Sequence, residues 1–275
     1  MNRRFLFFIT LLFLLMTATF AIQAEQCMDV VVGKEATTDG SVITSHTVDG
    51  WYDSTGGIRI VEGQTFPEGA MAPVYWGMVC ETMEPPQKIG EIPQVRETYT
   101  YFHDAYSHAN EHQILIGETT IGQKDELKAF PGGDAMMTIE QLEVFALQRT
   151  NTARDAVKLM GDLAVKYGFL GSCSNEGECL TVTDPNEAWV FEVFGVGVGW
   201  EADSGEPGAI WAAQRVPDNH IVCVPNISRI REIDLSKPDY FMASDNYMQE
   251  AIDRGWYDPD SGEPFIWQEA YTPMM

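Results

Sequence analysis

The sequence is short of basic residues, histidine and cysteine. It has 17 Lys and Arg against 41 Asp and Glu, which gives a formal charge of −24, and it contains 5 His and 5 Cys. This excess of negative charge argues against binding to nucleic acid or to an anionic membrane surface, because phosphate groups would be repelled. The low cysteine content excludes a small scaffold held together by disulfides. Hydrophobic residues make up 45% of the chain, which is enough for a globular core.

Long hydrophobic runs are also scarce, and the one candidate for crossing a membrane lies at the N-terminus. Asn2-Arg3-Arg4 is followed by an apolar run over 5–22 and by a small residue, Ala24. This layout is typical of a secretory signal peptide. We therefore expect residues 1–24 to be removed and the protein to be exported, periplasmic or secreted, without a stable membrane anchor. A retained N-terminal anchor is the alternative.

The cysteine count is odd, so an exported protein would keep at least one unpaired cysteine. Cys173 and Cys179 are close in the sequence and could form one bridge, and Cys80 and Cys223 could form a second. Cys27 would then be the odd cysteine. Alternatively, all five are buried as small hydrophobic residues.

Strand-length apolar segments lie on both sides of a helical pair. We predict strands at 28–32, 41–45, 58–61, 98–102, 113–118, 178–183, 188–194, 209–214 and 221–224. Thr138 and Thr152 are predicted to begin two helices, and Gln141 follows Thr138 at the spacing of a capping box. Strands, a helix pair and more strands predict an α+β fold of layered sheets and helices rather than regular βαβ alternation.

Cys27 has the position and the chemistry of a nucleophile. If residues 25–26 are removed as a short propeptide, Cys27 carries both a thiol and a free α-amine, whose ordinary pKa is near ~7.7–8. Such an amine can take up the thiol proton at neutral pH, so Cys27 would supply its own base. A hairpin beginning at 28–32 could return Asp49 towards Cys27, where a carboxylate could orient the amine and the thiol.

Four regions of the sequence carry a family resemblance. They are 27–34 with 38–41 and 46–49, then 110–112 with 117–119, then 186–195, and finally 213–217 leading to 225–229. In this order they resemble the cysteine dipeptidases of the N-terminal-nucleophile (Ntn) hydrolase superfamily, of the dipeptidase A type and related to secernin. The resemblance extends from Cys27 to the end of the chain.

The resemblance implies roles for individual residues. Cys27 would be the nucleophile and Asp49 a supporting acid. Asn110 and Asn226 would donate from their amides to the oxyanion and to the N-terminal amine. His46 stands where relatives commonly carry an arginine, and it is the candidate contact for the substrate. The reaction implied needs no metal or organic cofactor, and the spacing of the other histidines matches no zinc motif.

The resemblance also implies an αββα four-layer sandwich formed by residues 27–275, with a dipeptide as the substrate. Because family members are longer, we expect the sandwich to be incomplete at its C-terminus. Two alternatives remain open: an amidase of non-peptide acyl amides, such as bile-acid conjugates or penicillins, and an inactive remnant. A homo-oligomer is compatible with the sequence, which does not fix the oligomeric state.

Overall fold

The structure is a computed structural model that describes residues 27–48, 58–78, 86–104, 106–129, 133–172 and 175–273. The signal and propeptide regions predicted from the sequence lie outside the described residues, as do Asp49, Cys80 and Cys173.

The described residues form thirteen strands and four α-helices. The strands are β1 (Met28–Val32), β2 (Ile43–Thr47), β3 (Arg59–Val61), β4 (Met71–Trp76), β5 (Gln87–Pro93), β6 (Tyr101–His103), β7 (Ala109–Asn110), β8 (Leu115–Ile121), β9 (Gly177–Thr183), β10 (Ala188–Phe194), β11 (Ile210–Val216), β12 (Ile221–Pro225) and β13 (Phe241–Ala243). The helices are α1 (Ile139–Arg149), α2 (Ala153–Tyr167), α3 (Gln249–Asp253) and α4 (Trp267–Tyr271).

Two antiparallel sheets account for most of the strands. The smaller sheet has the order β12-β1-β2, and the larger one has the order β13-β11-β10-β9-β8-β7-β6-β3. In the smaller sheet, Met28 of β1 pairs with Thr47 on one side and with Pro225 on the other. This register matters for function because β1 begins directly after Cys27.

The two sheets pack face to face, and the helices α1 and α2 cover the far side of the larger sheet. Strand β10 of the larger sheet packs against the smaller sheet on one face and against the helices on the other, and it is buried along its whole length. Trp189 and Phe191 belong to the core shared with the helices, whereas Val190 and Phe194 belong to the core between the sheets. A strand buried on both faces is a nearly continuous apolar run, as in the sequence AWVFEVF. The described layers are therefore sheet, sheet and helices.

Both long helices begin at the residues predicted from the sequence. The side-chain oxygen of Thr138 accepts a hydrogen bond from the Gln141 backbone N–H, and that of Thr152 accepts one from the Asp155 backbone N–H. The capping box is only half formed, however. The Gln141 side-chain oxygen accepts a hydrogen bond from the Tyr75 backbone N–H at 3.1 Å, so it joins α1 to β4 instead.

The α+β prediction is confirmed by this arrangement of sheets and helices. The predicted strands 28–32 and 188–194 have the observed bounds, and most other predicted strands are displaced by a few residues. The hairpin β4–β5 was missed. It lies in a segment rich in proline and glycine, and its buried residues Val74 and Ile92 pack in the core beside α1.

Candidate active site

Cys27 lies where the chain enters the smaller sheet. It immediately precedes β1, the central strand of the smaller sheet, and only 5% of it is exposed. Because side chains alternate along a strand, Cys27 shares the inner face of β1 with Asp29 and Val31, which are both fully buried. Met28, on the outer face, is exposed. The backbone thus directs the Cys27 side chain towards the larger sheet.

Asn226 flanks Cys27 on the β12 side. Strand β12 ends at Pro225, which pairs with Met28, and extending this antiparallel register by one position places Asn226 opposite Cys27. The Asn226 amide nitrogen donates to the Thr120 carbonyl oxygen at 2.7 Å. This bond uses one of the two amide hydrogens. The extended register therefore places Asn226 beside Cys27, and the sequence predicts both as members of one site.

Asp29 is a further polar residue of this region that sequence reasoning missed. Its Oδ2 atom accepts a hydrogen bond from the Thr181 hydroxyl at 2.8 Å, while Oδ1 is buried and has no partner in the described part of the chain. Burial raises the pKa of Asp29 to about 7, and the nearby charge of Glu118 acts in the same direction. A carboxyl group that holds its proton near neutral pH therefore lies two residues from Cys27.

Gly117 makes room for the Asp29 carboxyl group. A methyl group at position 117 would lie 2.7 Å from both carboxylate oxygens, closer than such contacts normally allow. The signal for Asp29 was present in the sequence. An acidic residue inside the apolar run MDVVV, at the same parity as Cys27, has to point in the same direction.

His46 lies on β2, directly opposite Asp29 in the register. Burial lowers the pKa of His46, although a hydrogen bond with the Glu118 backbone and the charge of Asp104 act against this effect. The ring meets Tyr106 edge to face, with 6.3 Å between ring centroids. A neutral imidazole attracts a substrate carboxylate less strongly than the arginine that the resemblance suggests for this position.

Asn110 has a different environment from the one expected. Its amide nitrogen donates to the carbonyl oxygens of Leu147 and Thr150, at 2.9 and 3.0 Å, at the C-terminal end of α1. Its side-chain oxygen accepts from the backbone N–H groups of His112 and Ile114. Both amide hydrogens are therefore engaged. This geometry speaks against the predicted oxyanion role, and Asn110 does not enter the site proposed below.

Four buried glutamates gather on the opposite, helix-facing side of the larger sheet. Glu118 and Glu178 share a hydrogen bond, and Glu140 and Glu143 approach them from α1. Burial raises the pKa of Glu118 to about 7 and holds the pKa values of Glu143 and Glu178 well above the ordinary value. The neighbouring carboxyl groups add to this effect because like charges disfavour ionisation.

The two disulfides considered from the sequence are not formed. Cys179 is a buried free thiol on β9, and Cys223 is an exposed free thiol on β12. In the described ranges, no group of three or more His, Cys, Asp or Glu side chains could hold a metal ion. Nor is any helix in the described residues long and apolar enough to cross a bilayer.

Comparison with known proteins identifies the family. Residues 26–275 match the sequence profile of peptidase family C69. The chain belongs to peptidase family C69. The resemblance to cysteine dipeptidases described from the sequence is confirmed by this match.

Several relatives of the chain are named as dipeptidases. The chain is 26% identical over 263 residues to a probable dipeptidase of Latilactobacillus sakei, covering 89% of this chain and 48% of the relative. It is 25% identical over 258 residues to a probable dipeptidase of Salmonella dublin, covering 90% and 53%. For dipeptidase A of Lactobacillus helveticus the identity is 24% over 253 residues, covering 87% and 48%. The chain thus spans about half the length of these relatives.

Proposed function

We propose that this family C69 chain is an exported cysteine dipeptidase in which Cys27 is the N-terminal nucleophile. The observation that carries the proposal is the placement of Cys27 at the start of a central strand, buried between two sheets and flanked by Asn226. The names of the relatives add independent support for a dipeptide as the substrate.

In the proposed reaction the Cys27 sulfur attacks the carbonyl carbon of the peptide bond. The α-amine of the same residue takes the thiol proton, which is the general-base role of an N-terminal nucleophile. The carbonyl oxygen becomes an oxyanion as the C–S bond forms. The C–N bond then breaks, and the leaving amine takes a proton from the α-ammonium group. Water, deprotonated by the α-amine, hydrolyses the thioester and releases the first amino acid.

Asn226 is the proposed oxyanion donor. Its bond to the Thr120 carbonyl oxygen fixes the amide plane, and we propose that the second amide hydrogen faces the reacting carbonyl. A fixed donor of this kind stabilises the charge that develops in the transition state. The proposed contact between His46 and the substrate would rest on hydrogen bonding rather than on charge, because burial lowers the pKa of His46. Asp49 keeps its proposed role as a supporting acid.

The mechanism requires the Cys27 nitrogen to be a free amine, so residues 1–24 have to be removed as a signal peptide and 25–26 as a propeptide. We propose that Cys27 itself performs the second cleavage by attacking the peptide bond that precedes it. The αββα sandwich belongs to the same proposal. Its support is the observed sequence of layers, in which two sheets pack face to face and α1 and α2 cover one of them.

The test is hydrolysis of a dipeptide panel by the secreted protein and by its Cys27→Ala variant. We expect the wild type to release free amino acids and the variant to be inactive but still secreted and folded. Cys223→Ala is the matched control, because it removes an exposed free thiol on the same sheet and should leave the rate unchanged.

Acyl amides tested alongside the dipeptides separate the alternatives. Cleavage of bile-acid conjugates or penicillins without cleavage of dipeptides would replace the proposed substrate class. If no substrate is hydrolysed and the Cys27 thiol reacts no faster with iodoacetamide than Cys223, the protein is an inactive remnant.

A further inference from the structure

Glu192 is a buried carboxyl group that the mechanism above does not use. It lies on β10 and points into the core between the two sheets, with no exposed surface. Its Oε2 atom accepts hydrogen bonds from the Ser228 hydroxyl at 2.6 Å and the Trp267 indole N–H at 2.8 Å. Its Oε1 atom accepts from the backbone N–H groups of Arg229 and Ile230 and, at 3.9 Å, from the Cys179 thiol.

These five donors fit an ionised carboxylate, which accepts hydrogen bonds and has none to donate. Burial raises the pKa of Glu192, and the hydrogen bonds from Ser228, the two backbone N–H groups and Trp267 lower it. Burying a carboxylate costs free energy unless all its hydrogen-bond partners are present. If Glu192 only filled space in the core, an apolar side chain would serve as well. The contacts therefore indicate that Glu192 positions the segment that surrounds it.

That segment begins at the proposed oxyanion donor. Three of the five donors belong to residues 228–230, which follow Asn226 by two residues. The Ser228 carbonyl oxygen also accepts a hydrogen bond from the Gln268 side chain at 2.7 Å. Among the described residues, the Asn226 side chain has one anchor, the Thr120 carbonyl oxygen. The direction of its second amide hydrogen thus depends on the path of the backbone that Glu192 holds.

We infer that Glu192 is a positioning residue, which acts through residues 228–230 to orient the Asn226 amide towards the carbonyl group attacked by Cys27. The catalytic part of this inference, the effect on kcat, rests on the proposed function. Its structural part, that the Glu192 carboxylate fixes the backbone of residues 226–230, stands independently of the activity.

The first test is steady-state kinetics on Glu192→Gln. The glutamine carbonyl oxygen can still accept from the backbone N–H groups of Arg229 and Ile230. Its NH₂ group then faces the Trp267 N–H, which is also a donor, so that hydrogen bond is lost. We expect kcat to fall by about 10- to 100-fold with little change in KM, less than the roughly 10²–10³-fold cost of deleting an oxyanion donor. Glu143→Gln is the matched control, because Glu143 is buried on α1 and neither carboxylate oxygen has a partner in the described residues. It should leave kcat unchanged.

A double variant separates positioning from general destabilisation. If Glu192 acts through Asn226, then Glu192→Gln should cost little more once Asn226→Ala is present, because coupled residues are not additive. Simple addition of the two effects would overturn the inference, as would a Glu192→Gln variant with the wild-type kcat. If Glu192→Gln does not fold, Ser228→Ala removes a single bond to the same carboxylate and should lower kcat in the same direction by a smaller factor.

Hydrogen exchange provides a readout that needs no substrate. We expect Glu192→Gln to accelerate amide exchange in residues 226–230 while exchange in α2 stays as in the wild type. Unchanged exchange in 226–230 would overturn the inference even in an active enzyme. If the wild type hydrolyses no dipeptide, the proposed function fails, and faster exchange in 226–230 alone would still support the positioning role.

Discussion

The buried carboxyl group of Asp29 predicts a specific dependence of stability on pH. Its pKa is raised from the ordinary 3.8 to about 7 in the folded protein. Between these two values the folded state holds the proton and the unfolded state does not. The free energy of unfolding therefore falls as the pH rises through this window, because the unfolded state binds fewer protons.

The size of the effect follows from the difference between the two pKa values. Each pKa unit is worth about 1.4 kcal/mol, so a rise from 3.8 to about 7 corresponds to a loss of about 4 kcal/mol between about pH 4 and pH 8. Asp29→Asn keeps the shape of the side chain and an acceptor for the Thr181 hydroxyl, but it does not titrate. The variant should therefore gain about 4 kcal/mol relative to the wild type over the same range.

Urea unfolding of the wild type and Asp29→Asn at several pH values measures this difference directly. The buried glutamates are present in both proteins, so their contribution largely cancels. Asp203→Asn is the control, since Asp203 lies exposed in a surface turn, and its curve should follow that of the wild type. A difference between Asp29→Asn and the wild type that stays within about 1 kcal/mol at all pH values would refute the reasoning.

Two further predictions concern Asn110 and a helix glycine. Asn110→Ala should lower the free energy of unfolding by about 3 kcal/mol or more, because three buried backbone groups and the partly buried His112 N–H lose their partner, and kcat should be unchanged. A stable variant with a lost kcat would restore the oxyanion role predicted from the sequence. Gly161→Ala should cost about 1–3 kcal/mol by overpacking, since a methyl group would lie 2.2 Å from the Trp211 ring. At Gly199 nothing lies within 4 Å of the added methyl group, so Gly199→Ala, also followed by urea unfolding, should change stability by less than about 1 kcal/mol.

The sequence predicts the strands of the central core better than the surface around them. The segment 188–194 is apolar at nearly every position, and it forms a strand buried on both faces. The hairpin β4–β5 carries a proline at position 73, and its sequence alternates only weakly between polar and apolar residues. Its strands are therefore recognisable only from their packing beside α1. Gln141 illustrates the same limit. The sequence predicts that its side chain completes the cap of α1, but the side chain accepts a hydrogen bond from the Tyr75 backbone instead.

The fold places the predicted site residues in different environments. Cys27 and Asn226 come together because β1 and β12 pair, which no local pattern reveals, although the family resemblance had selected both residues. The resemblance selected Asn110 as well, yet an asparagine that closes a turn looks the same in a sequence as one that faces a substrate. The position of Asp29 in β1 shows which way its side chain points, but its partner Thr181 lies on β9, and only the fold brings the two together.

The central claim is that catalysis begins with a thiol and a free amine on the same residue. The most direct test is N-terminal sequencing of enzyme that has been purified by its dipeptidase activity. The specific activity is then compared between preparations that are processed to different extents. The account predicts that Cys27 is the first residue of the active protein and that activity rises in proportion to the fraction that begins there. Full activity in protein that still carries Glu25 and Gln26 would contradict it.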